Sequence, residues 1–196
     1  MTKRVPILPT LLVLIATGVM VRLGFWQIDR LHQKEAMLDQ YQHALAQTHV
    51  TDLGRDLLID GPFEYTHVKL VCEPSGPQGM HAGRNASGEA GWAHVVPCQF
   101  PFARRGVGAA DVTIGWSRDL NVVAWTGGEV SGVVVPANQG RMRIVADPPL
   151  AGLQPNAKPD PRDIPNNHLS YAVQWFLFAG LALVIYALAL RKRWGE

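Results

Sequence analysis

Charge is scarce in this chain. Charged residues make up 17% of its 196 positions, where a soluble domain carries about a quarter, and the shortfall comes from two long stretches near the ends. That points away from an ordinary soluble protein and makes membrane insertion the first question. Cysteine is scarcer still: Cys72 and Cys98 are the only two, without C-x-x-C spacing, so a thiol-redox enzyme is the weakest reading. Catalytic signatures are missing as well. There is no G-x-S-x-G, no H-E-x-x-H and no phosphate-cradling glycine loop, and the six histidines before His168 are scattered singly. The reading is therefore not an enzyme. Nor is there a basic stripe: from Gln27 to His168 twelve basic residues face fifteen acidic ones, which disfavours a nucleic-acid partner. The length allows one compact domain plus accessories.

What is present begins at the ends. Residues 6–21 are uncharged and 23–26 extend the apolar run past Arg22, giving about 20 residues, enough to span a bilayer. Lys3 and Arg4 precede it as they would a signal peptide, but no small-x-small cleavage pattern follows, which favours a retained span. Residues 171–190 are uncharged and stop at Arg191-Lys192-Arg193, a second span. Both outer tails are short and basic, so the expectation is two cytoplasmic termini and an exported middle. The N-terminus lacks an Arg- and Ser-rich amphipathic presequence, which favours a bacterial inner membrane and a periplasmic central domain. In such a compartment Cys72 and Cys98 can form a disulfide. Closing that loop of about 27 residues would contribute about 3–4 kcal/mol. The alternative is two unpaired small core residues, and both readings stand.

Past the first span, residues 28–46 hold Leu31, Glu35 and Leu38 at helical spacing with no Gly or Pro, so the helix is expected to continue outward. Beyond Thr51 short apolar runs alternate with Gly and Pro. Segments 57–59, 66–72, 93–97, 112–116, 129–135 and 142–145 read as strands, enough to close a small antiparallel barrel. Residues 73–91 hold almost nothing apolar and read as a mobile surface loop, and 151–165 as an extended connector back to the membrane. Asn85-Ala86-Ser87 fits a glycosylation pattern, an accidental match in a bacterial chain. No internal repeat is present.

Chemistry points to His168, immediately before the second span. Neutral imidazole is a good haem-iron ligand, and an ionisable residue at a span is a functional candidate by default. With a helix starting there, Tyr171, Ala172 and Trp175 follow at i+3, i+4 and i+7 on the same face, a seat for a flat apolar ligand. Ala172, Ala179 and Gly180 are small enough to admit another helix closely. On the first span Arg22, Trp26 and Arg30 recur every four residues, and guanidinium groups suit carboxylates such as haem propionates. Plainer readings stand beside these. His168 caps the helix or meets headgroups, both tryptophans belong to the aromatic belt, Arg22 snorkels, and Arg30 pairs with Asp29 or Glu35.

Leu23-Gly24-Phe25-Trp26-Gln27-Ile28-Asp29-Arg30, followed by Lys34, resembles the L-G-x-W-Q-x-x-R-x-x-x-K signature of the surfeit-locus family of cytochrome c oxidase assembly factors. Residues 166–176, reading NNHLSYAVQWF, resemble the same family's N-N-H-L-x-Y-A-x-x-W-F motif at the start of its second span. Gly91-Trp92-Ala93-His94-Val95-Val96-Pro97 and Gly115-Trp116 are weaker central landmarks; the family's R-G-W-x-P departs here to Ile114-Gly115-Trp116-Ser117-Arg118, so any role of that first Arg does not carry over. The resemblance implies a non-enzymatic factor that helps insert haem a into oxidase subunit I, with His168 at the position that holds the haem in bacterial members.

The expected fold is membrane α+β, with two transmembrane helices flanking an external, small antiparallel barrel-like β domain. Its expected divisions are a tail and first span over 1–26, a helical extension over 27–50, a periplasmic β domain over 51–150, a connector over 151–168, a second span over 169–190 and a basic tail over 191–196. The expected function is transient haem a binding through His168 as iron ligand. Trp175 and Trp26 are expected as apolar walls, and Arg30 or Arg22 at a propionate. Oxidase subunit I and the haem a synthesis machinery are the expected partners, alongside membrane lipid, with a second copy of the chain neither required nor excluded. The alternative is a scaffold for nascent subunit I that never touches haem.

Overall fold

A computed structural model of the chain describes residues 5–56, 63–102, 106–136 and 142–195. Two compact units emerge. One is helical, comprising the chain up to Leu38 and from Ile164 onward; the other spans Asp39–Asp163. Helix α1 runs Ile7–Ala46 and α2 runs His168–Gly195. Both are long and apolar enough to cross a membrane, and both keep their apolar side chains largely uncovered by protein. A helix apolar all round and unburied has lipid as its natural solvent. The chain is a membrane protein.

Among the described residues seven strands follow α1: β1 Val50–Asp52, β2 His67–Pro74, β3 Gly79–Arg84, β4 Ala90–Phe102, β5 Gly106–Ser117, β6 Gly128–Val135 and β7 Met142–Ala146. Their order is β1-β2-β6-β7-β5-β4-β3, and β2 also pairs with β4, closing β2, β6, β7, β5 and β4 into a five-stranded barrel. The expected barrel is there, with one amendment. It is not wholly antiparallel: β5 and β7 run parallel inside the ring, and β1 joins β2 in parallel outside it.

Alternation makes the core. Val68, Leu70 and Cys72 of β2, Val96, Cys98 and Phe100 of β4, and Ala110, Val112 and Ile114 of β5 are buried every second residue, and Val130, Val134 and Ile144 join them. A strand with one inward face buries this period of two. Both cysteines fall on inward positions where β2 and β4 meet, with Pro74 opposite Cys98 in the register, and they are joined as a disulfide with Cα atoms 5.2 Å apart.

One sequence expectation changes. Residues 73–91 are not a mobile loop: β3 pairs with β4 over six register positions, Gly79↔Val95 to Arg84↔Ala90. Asn85 turns the corner, its side-chain oxygen accepting from the backbone N–H of Ser87 and Glu89 at 3.0 and 2.9 Å. The connector is extended, as expected, and bonded to the sheet. Trp116 and Gln154 exchange backbone hydrogen bonds of 2.8 and 3.0 Å, and Ala157 N–H donates to Arg84 O, so the segment lines the end of β5 beyond the reach of β7. The expected strand at 57–59 lies outside the described residues.

Candidate functional site

The helical unit is a pair held by small residues. Gly24 is the one buried residue of α1, and a Cβ placed on it would lie 2.7 Å from two ring carbons of Phe176. Ala172 and Ala179 of α2 are buried, the close-approach role expected of them. Gly180 is exposed, with nothing within 4 Å of where its Cβ would be, so that part of the small-residue reading does not hold. Phe25 meets Phe176 edge-on at 5.3 Å, and toward the other end the hydroxyls of Thr10 and Tyr186 are hydrogen-bonded.

His168 is the first residue of α2, half-buried at the mouth of this pair. Its Nδ1 lies 2.7 Å from the side-chain oxygen of Gln27 on α1. Nε2 has no hydrogen-bond partner among the described residues. Nearby, the Asn166 side-chain oxygen is buried without a partner. No group of three or more His, Cys, Asp or Glu gathers as a metal cage among the described residues.

The remaining candidates divide by helix. Trp175, two turns along α2, is half-buried and edge-on to Phe178 at 6.4 Å. Trp26, exposed on α1, lies under the Arg30 guanidinium, 5.5 Å from its centroid. Arg30 also donates to the Gln33 side-chain oxygen at 2.9 Å, in place of the Asp29 or Glu35 pairing weighed from sequence. Arg22 is exposed and lines, with Trp26 and Asp29, an open groove made by α1 alone. Arg22, Trp26 and Arg30 thus sit on an exposed face, whereas Gln27 lies about 100° round from Trp26 and faces α2. The structure joins His168 to Gln27 and shows no direct contact from His168 to the arginine-tryptophan row.

Gln27 escaped the sequence reading. It stands inside the quoted L-G-x-W-Q motif, but its partner is 141 positions away, and no local periodicity reports such a contact. The central landmarks prove to be packing. Trp116 is fully buried, its indole occupying the space a side chain at Gly91 would need, and Leu153 does the same over Gly115.

A chain with two long apolar helices before and after a closed small β domain, and an imidazole at the start of the second helix, belongs to the class of membrane proteins with a barrel domain. The SURF1 family model matches residues 14–180. The chain belongs to the SURF1 family, whose members are cytochrome oxidase assembly factors. No curated protein matches the chain.

Proposed function

We propose that this oxidase assembly factor binds haem a transiently and assists its insertion into oxidase subunit I, with His168 Nε2 as iron ligand. The observation that carries the reading is the state of the His168 ring: one nitrogen is engaged by Gln27 and the other is unpartnered at a helix start. Held by the one neutral imidazole of His168, a haem would be bound loosely enough to be handed on, which suits a protein that must release its cargo. Trp175 and Trp26 would offer apolar surface to the macrocycle, and Arg22 or Arg30 a cation to a propionate.

The basic segments Lys3-Arg4 and Arg191-Lys192-Arg193 support cytoplasmic termini in a bacterial inner membrane, and the disulfide supports a periplasmic barrel. The barrel would meet subunit I or the haem a synthesis machinery. The test is purification in mild detergent from a host that makes haem a, with optical spectra of wild type and His168→Ala. A haem a band in the wild type that is lost in the variant is the expected result. A band equal in both would place the ligand elsewhere, and no band in either would leave the scaffold reading.

A further inference from the structure

The contact between Gln27 and His168 fixes more than a helix pair. With its oxygen turned to the ring, the Gln27 amide accepts at 2.7 Å from Nδ1, which places the ring proton on Nδ1 and the neutral ring's lone pair on Nε2; an amide turned the other way would donate and give the opposite tautomer. A solvated histidine side chain favours the opposite tautomer. Gln27 is half-buried one turn beyond Gly24, where α1 packs against Phe176 of α2. Histidines that bind metals are commonly oriented by a hydrogen bond from the second ring nitrogen, and a carboxylate partner makes the ring a stronger ligand than a neutral carbonyl does.

We infer that Gln27 is the positioning residue for the iron ligand: its neutral carbonyl holds His168 in the Nδ1–H tautomer, aims the Nε2 lone pair at the haem, and keeps the ligand weak enough to release it. The inference rests on the haem reading above. It explains why the partner is an amide rather than an acid. It also makes the ligand's geometry a property of both helices, since neither α1 nor α2 alone carries the pair of groups.

The experiment uses the full chain in detergent micelles with 15N-labelled histidine, first without haem and then loaded with haem a. The His168 ring resonances are assigned by their loss in His168→Ala. The wild type should show a protonated Nδ1 and a bare Nε2. Gln27→Leu, which keeps bulk but removes the acceptor, should shift the ring toward Nε2–H and weaken haem a binding by about 10–100-fold. Gln27→Glu should keep Nδ1–H, lower the midpoint potential of the bound haem and slow its transfer to excess apomyoglobin. Unchanged ring resonances and unchanged haem affinity in Gln27→Leu would overturn the inference. Should that variant fail to fold, an unaltered potential and transfer rate in Gln27→Glu would overturn it equally. The underlying reading fails separately: if His168→Ala holds haem a as the wild type does, the ligand assignment falls whatever the tautomer spectra show.

Discussion

The ring of Phe176 stands where a side chain at position 24 would go, with ideal Cβ to ring-carbon distances of 2.7 Å. Gly24→Ala must therefore displace the ring or part the helices. Overpacking of this kind costs about 1–3 kcal/mol. The expected outcome is a lowered thermal midpoint for the helical unit in detergent, partly recovered in Gly24→Ala/Phe176→Leu because the two sites share one space. Equal midpoints for wild type and Gly24→Ala would show that the contact is slack.

The disulfide between Cys72 and Cys98, 26 positions apart, lies at the barrel's closing edge, where only Glu73↔Gln99 and Pro74↔Cys98 pair β2 with β4. Replacing both cysteines by alanine should lower the barrel's stability by about 3–4 kcal/mol, the loop-closure entropy returned to the unfolded chain. Urea unfolding of wild type with and without reductant, beside the double variant, checks this. The reduced wild type and the variant should unfold at similar midpoints, below the oxidised protein.

Acid should weaken the barrel through His94. Its ring is buried, Nε2 lies 2.8 Å from Ser117 Oγ, and the Ser117 hydroxyl donates to Asp119 O, so Nε2 donates and Nδ1 is a buried lone pair without a partner. Burial lowers the pKa of His94 below its ordinary value. The unfolded chain then binds protons more readily than the folded one as pH drops below about 6.5, so stability is full above that value and declines beneath it. Urea midpoints measured between about pH 5 and 8 should follow that course. His94→Gln should flatten that course.

Some of this architecture was legible in the order of residues. The alternation Val68, Leu70, Cys72 and its counterpart Ala110, Val112, Ile114 announce strands, because each inward side chain is apolar. The segment Gly79–Arg84 announces nothing: it lies at the sheet's edge with mostly exposed side chains, and backbone hydrogen bonds to β4, which any residue can make, hold it there. Barrel closure was legible only as a count of strands. The parallel pairing of β5 with β7 depends on a crossover that local pattern does not encode. At the site, His168 stood out because a titratable group heads an apolar run, and Arg22, Trp26 and Arg30 because they repeat on a helix. Gln27 is a neutral residue among these, and its role arises only when the second helix arrives.

That arrival is late. The helical unit is assembled from two pieces that the whole of the other unit separates in sequence. Roughly 120 residues lie between the end of α1 and the start of α2, and at about 5–20 residues per second of synthesis α1 waits on the order of ten seconds for its mate. During that interval Gly24 lacks the ring of Phe176 and Gln27 lacks the imidazole of His168. On the haem reading proposed above, a nascent chain would acquire its binding position only after the ribosome has finished the barrel and begun the last helix.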